Sequence, residues 1–389
     1  MRWISLALLL LAACAHEPAV GGEMVTLLSR YHAETPDDPA VIYVMARVHE
    51  QAGDVKAALV WLGKLEVGGF DDALEPTDFP RTLATAEGKA LADRLSRRAR
   101  VVVRSEVARR ISGEELRPEG HAYDAKRGRV LISSGKLRKV VAVDADGRLA
   151  DVTRPAQDGL LAVLGMKVDE GRDWVWVASA AAPFMVPARA EEAGHSMLHA
   201  FDLQTGETRM AIAYARTPSL LNDLDLAADG SVYATDSQSG AVVVARDGEI
   251  EDVLPPDSFE GPNGIAVAAA GDALYVADFR GVHRVELATR AVEKLPVPAP
   301  ARTLGGFDGL YVRGGALIGV QNLLGRGRVW RLRLRADGRA FESAEILETG
   351  RPDYMNPTTG TFGDDAFYYL ANPNVAAGGE LLLLRLPLE

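Results

Sequence analysis

The chain repeats itself six times after residue 115, and this self-similarity restricts its fold more than any other feature of the 389 residues. Aligned on the residue before a recurring glycine, the copies are EGHAYDAKRGRVLISS from Glu119, LGMKVDEGRDWVWVAS from Leu164 and NDLDLAADGSVYATDS from Asn222. They continue as NGIAVAAAGDALYVAD from Asn263, DGLYVRGGALIGVQN from Asp308 and TGTFGDDAFYYLANP from Thr359. Each has an anchor, a short apolar strand, a Gly/Asp turn and a second strand rich in Val and aromatic residues. Two further strand-like runs lie between anchors, for instance AVVVAR and EIEDVL after the third. The longest interval, between 164 and 222, contains the loop-like insertion APFMVPARAEEAGHSM from Ala182 to Met197. Four strands in roughly 40–50 residues, repeated, predict a mainly β chain folded as a six-bladed β-propeller. After the sixth copy only ELLLLRLPL remains. The run 100–107, RVVVRSEV, is expected to supply the missing outer strand and close the ring, removing exposed sheet edges.

This architecture changes the meaning of one short stretch. In Gly261-Pro262-Asn263-Gly264, Pro-Asn-Gly is turn chemistry in any protein. In a propeller, however, the innermost strand of each blade runs along the central channel, and the residue before it lies at the channel mouth. Glu119, Leu164, Asn222, Asn263, Asp308 and Thr359 are therefore expected to converge. Two carboxylates and two amide oxygens facing one another repel as bare groups. A hard divalent cation resolves the conflict: Ca²⁺ takes about six to eight oxygen ligands, and two negative charges balance it. An all-oxygen site of this kind also accommodates Mn²⁺ or Mg²⁺.

The ends of the chain have other characters. MRWISLALLLLAACAHEP reads as a secretory signal: Arg2, an apolar run from Trp3 to Leu11, then small residues. Leu11-Ala12-Ala13-Cys14 resembles the lipobox of bacterial lipoproteins. That resemblance implies cleavage before Cys14 and acylation of its thiol and new amine, so that residues 1–14 are a lipoprotein signal. Several acyl chains on one residue give stable membrane attachment. Ala15, in place of an acidic residue, favours the outer membrane with the protein facing the periplasm. Cys14 is the only cysteine, so no internal disulfide forms. Residues 23–96 read as a helical segment. Tyr43, Ala46 and Val48 fall on one helix, Gly53-Asp54 makes a turn, and Ala57, Ala58, Trp61 and Leu65 fall on the next. The pattern resembles a single tetratricopeptide repeat, a candidate site for a protein partner, and equally suits a helical hairpin packed on the main domain. Arg94, Arg97, Arg98, Arg100, Arg104, Arg109 and Arg110 read as solvated linker and strand edge. The propeller is assigned to 98–389. A formal net charge of -11 argues against a nucleic-acid partner.

The repeats resemble the senescence marker protein/gluconolactonase family, also called regucalcin-like, over about residues 115–389. More distantly they resemble diisopropylfluorophosphatase and the paraoxonases. The resemblance is carried by Glu119-Gly120, Asn222-Asp223, Pro262-Asn263-Gly264 with its following LYVAD, and Asp308-Gly309. It implies Glu119, Asn222, Asn263 and Asp308 as ligands of a divalent metal, foremost Ca²⁺, and Asp308 as the catalytic group. The implied activity is that of a metal-dependent hydrolase acting on a lactone or related ester. Two departures stand out. Here Glu119-Gly120 is followed by His121-Ala122-Tyr123, where the family often has Pro and then Trp, and Phe307 stands where proline commonly precedes the aspartate. They motivate a second expectation, a non-catalytic periplasmic propeller acting as a binding or scaffold protein.

Other signals lead elsewhere or nowhere. No GxSxG, HExxH or Walker-type loop occurs. Asp144-Ala145-Asp146-Gly147 reads as a hairpin turn rather than a calcium loop. Trp174 and Trp176, alternating with Val175 and Val177, suit a strand buried between blades. His195 and His199 sit in or beside the insertion, either as lid residues or, the commoner case, as loop histidines without a role, and His121 is placed to reach the channel mouth.

Overall fold

The computed structural model describes residues 22–363, 365–375 and 378–388. The signal segment and Cys14 lie outside them. Among the described residues no helix is long and apolar enough to cross a membrane.

Alternating apolar residues build six antiparallel sheets of four strands each. The inner strands are His121–Asp124, Ala162–Asp169, Leu221–Leu226, Ile265–Val267, Phe307–Arg313 and Gly360–Phe362, one for each of blades one to six. Both faces of each sheet are buried, and successive residues point to opposite neighbours. In the third strand of blade three, Val243 and Ala245 pack toward blade two while Val242 and Val244 pack toward blade four. In blade two, Val175 and Val177 face blade one, and Trp176 faces blade three with the half-buried Trp174 beside it, as their alternation predicts. Each large apolar side chain buried in this way contributes about 1.5–3 kcal/mol. Residues 144–148 form the expected hairpin turn, with Asp144 N donating to Arg148 O and Asp146 N to Asp144 Oδ1.

The ring closes on a strand from the N-terminal side, displaced from its expected position. Glu106–Ile111, not 100–107, pairs with Leu381–Pro387 as the outer strand of blade six. The apolar run that prompted the earlier placement is largely exposed, with Val101 at 66% and Val103 at 50%. Val102 alone bridges to Thr349 of blade five. EVARRI wins because its far end, Ile111, is buried between blades six and one, while Arg110 turns outward to Glu380.

Among the described residues five α-helices precede the propeller: α1 Gly22–Glu34, α2 Pro39–Gln51, α3 Val55–Val67, α4 Pro80–Ala84 and α5 Ala86–Arg98. Asp38 caps α2, accepting from Ala40 N with Pro39 in the first turn, and Asp54 caps α3 through Ala57 N. Ala46 and Ala58 are fully buried. A single helical pair cannot cover its own apolar face, and this one uses the propeller. Leu28, Tyr31, Met45 and Leu62 share one core with Phe279, Leu323 and Leu324. The contact is edged by charge pairs, Arg280 with Glu34 at 2.7 Å and Arg328 with Asp71 at 2.7 Å.

Candidate metal and catalytic site at the channel mouth

Two local devices bring the anchors to the axis. The first is a break in strand register. Pairing skips Leu164 and Gly165 in blade two, Asn222 and Asp223 in blade three, and Asp308 in blade five. A bulge of this kind turns a side chain out of the sheet's alternation. The second is the glycine after the anchor. A Cβ on Gly120 would lie 1.9 Å from the Leu164 carbonyl oxygen, and one on Gly165 would lie 2.6 Å from that of Asn222. Neighbouring inner strands approach too closely there for any side chain. The ring is completed where Thr359 Oγ1 donates to the Glu119 carbonyl.

Asp308 is the centre of the cluster. Its Oδ1 accepts from Asn263 Nδ2 at 2.5 Å, and its Oδ2 accepts from Asn322 Nδ2 at 2.6 Å. Burial raises the Asp308 carboxyl to about 6, against the pull of the two amide donors. Burial and the charge of Asp308 together raise Glu119 to about 8. Asn263 Oδ1 is buried without a partner among the described residues. Asn222 lies one blade along and donates from Nδ2 to Ser237 Oγ at 3.0 Å. Ser237 in turn donates to the Pro262 carbonyl at 2.5 Å. Asn263 and Asp308 are thus hydrogen-bonded directly, Glu119 lies near enough to feel the charge of Asp308, and Asn222 is linked through Ser237 to Pro262, the residue before Asn263.

The donor set suits a hard cation. The described residues contain no group of three His, Cys, Asp or Glu able to hold a metal, so a site here would have to combine carboxylate with amide oxygens. Asn263 presents an amide with one end on a carboxylate and a buried oxygen at the other. Turning that amide over places an oxygen against Asp308, an arrangement that a cation between them would stabilise.

Two further features were not singled out in the sequence. Asn322 is the second donor to Asp308. Asp223, 5% exposed, lies on the inner strand of blade three, and burial raises its carboxyl to about 8 despite donors at Leu224 N and Ile265 N. Beside it Lys167 pairs with Asp225 at 2.8 Å, and Tyr311 accepts from Gly360 N at 2.8 Å. The signal for this group was Asp223 and Asp225 alternating in an otherwise apolar inner strand. His121 is buried at the mouth with Nδ1 on Thr359 Oγ1 at 2.9 Å, and burial lowers its pKa to about 3. His199 is no lid residue: it is fully buried in blade two, with Nε2 on the Asp158 carbonyl. His195 is exposed on the insertion.

No family model matches the chain, and no curated protein matches it. Solved structures do. A calcium-binding regucalcin from Agrobacterium tumefaciens is 18% identical, with 72% of this chain and 93% of that chain covered and a TM-score of 0.51. Virginiamycin B lyase from Staphylococcus aureus is 14% identical over 72% of this chain and 99% of that one, also at 0.51. A gluconolactonase from Xanthomonas campestris is 17% identical over 72% and 88%, at 0.49. The structural neighbours thus include gluconolactonase and regucalcin-like six-bladed propellers, and the likeness is one of fold.

Proposed function

We propose that the protein is a metal-dependent hydrolase of the lactonase type, acting on a lactone or related ester at the channel mouth. We further propose that it is held at the outer membrane through acylated Cys14 and faces the periplasm. The observation that carries the activity is the Asp308 carboxylate, gripped by the Asn263 and Asn322 amides beside Glu119, with the Asn263 oxygen unpartnered. Glu119, Asn222, Asn263 and Asp308 would hold the divalent cation, Ca²⁺ foremost. When bound, the cation supplies Lewis acidity toward an ester carbonyl.

The chain's own groups supply positioning and proton transfer. The two amides fix both oxygens of Asp308, so its carboxylate meets a water in one orientation. Asp308 takes a proton from the water as it adds to the lactone carbonyl. The ring C–O bond then breaks, and the proton passes to the departing alkoxide, giving the open hydroxy acid. Support also comes from the gluconolactonase and regucalcin-like propellers among the structural neighbours. The test is hydrolysis of a panel of lactones, esters and phosphotriesters with calcium present and after chelation, repeated with Asp308→Ala. Turnover that survives chelation, or that Asp308→Ala leaves intact, overturns the assignment.

A further inference from the structure

We infer that the helical segment is a positioning element of the site: by gripping loops 260–263 and 322–325, it holds the Asn263 and Asn322 amides on Asp308. The inference rests on reading that cluster as the metal and catalytic site, but its physical basis is separate. Both amides come from loops. Asn263 precedes its strand and Asn322 follows one, and loop positions need outside support to hold a side chain in one place. Because strands within a blade are antiparallel, these loops lie at the same end as the anchors, with Gln321 paired to Phe307 and Val276 to Ile265. The helices dock at that end.

Two lines of contact run from helix to amide. In the first, the Tyr31 hydroxyl donates to the Glu260 carboxylate. Arg280 covers the Tyr31 ring at 4.2 Å and pairs with Glu34 at 2.7 Å. Glu260 is fixed at its backbone as well, donating to Asp278 Oδ2 at 3.2 Å and accepting from Phe279 N at 3.1 Å. Asn263 is three residues further on. In the second line, Leu323 and Leu324, 3% and 5% exposed, enter the helical core directly after Asn322. Gly325 lies so close to the helical segment that a Cβ there would meet the Ala73 carbonyl at 2.7 Å.

The experiment uses the full chain with Tyr31→Phe, Leu323→Ala and Leu323→Met, and Leu203→Ala between blades one and two as a stability control. Two quantities are read: hydrogen–deuterium exchange of the 258–266 and 318–326 backbone in metal-free protein, and calcium affinity by titration calorimetry. Tyr31→Phe and Leu323→Ala are expected to speed exchange in those two segments and to weaken calcium binding about tenfold, the low end for groups that orient a ligand. Leu323→Met is expected to restore both. Loss of thermal stability like that of Leu203→Ala, with loop exchange and affinity as in the parent, overturns the inference. If the parent takes up no calcium, the metal reading fails on its own, and exchange in the two loops still decides the coupling.

Discussion

Asn322 Nδ2 reaches Asp308 Oδ2 across 2.6 Å from the end of the neighbouring strand, Ala316–Gln321, in the same blade. Two segments of one hairpin therefore set the direction of a single carboxylate. Asn322→Ala leaves that oxygen without its donor. The expected result is a 10–100-fold loss in kcat/KM on the best lactone, the scale typical of groups that orient a metal ligand, with overall fold unchanged by circular dichroism. Asn263→Ala removes a proposed ligand as well as a donor, and elemental analysis is expected to show the metal gone. Stoichiometric metal retained in that variant would remove Asn263 from the ligand set.

Ring closure depends on a buried charge. Glu348, fully buried, accepts from Arg104 N at 2.8 Å and from Ser105 N and Ser105 Oγ, each at 2.9 Å. These bonds fix the chain just before the strand that completes blade six. Glu348→Ala is expected to cost roughly 3–5 kcal/mol, as when one member of a buried charged network is removed. Urea denaturation measures this. A midpoint equal to the parent's would show that closure does not need the carboxylate.

Gly120 offers a sharper steric test. The added Cβ of Gly120→Ala would meet backbone, the Leu164 carbonyl, at 1.9 Å, so relief requires blades one and two to separate. A cost of about 1–3 kcal/mol follows from overpacking. Glu119 is the adjacent residue, so calcium affinity should fall together with stability. Gly63, with open space around it and no left-handed φ, is the control.

The legible part of this molecule was the part governed by period. Alternating apolar runs and recurring Gly/Asp turns specify strands, and six similar units specify a ring. The anchors could be named because a propeller places the residue before each inner strand at one end of one channel. What escaped depends on contacts between units. Asn322 follows a strand with no local signature, and only the pairing of Gln321 with Phe307 brings it to Asp308. The closing strand was displaced because VVVRSEV is apolar enough to suggest a strand, whereas the decisive term is burial of Ile111 between two blades. His199 looked like a loop residue because the insertion's end could not be located; the strand begins at Ser196.

The lipobox leads to a localisation test. Cys14→Ser removes the thiol proposed to carry the acyl chain and is expected to move the protein from the membrane fraction to the soluble periplasm. Mass spectrometry of the parent should show an acylated N-terminal cysteine. An unmodified Cys14 in membrane-free extract overturns the anchor.

His199 sets a pH dependence whose sign can be worked out. The ring is fully buried, stacked on Phe201 at 5.5 Å, with Nε2 at 3.1 Å from the Asp158 carbonyl and Nδ1 without a partner. Burial lowers its pKa below 6.5, outweighing the Asp158 carbonyl, which favours the charged form. Protonating Nδ1 would create a second buried N–H with no acceptor. The unfolded chain titrates this group near 6.5, so as pH falls through that value the unfolded state binds a proton that the folded state refuses. The contribution is full above about 6.5 and declines below it, until the folded pKa is reached. His199→Gln keeps a donor for Asp158 and does not titrate. Its melting temperature is therefore expected to fall less steeply than the parent's between about pH 7 and 5, where the histidine reference range lies. Parallel curves for the two proteins across that interval would show that this ring takes up its proton as readily folded as unfolded.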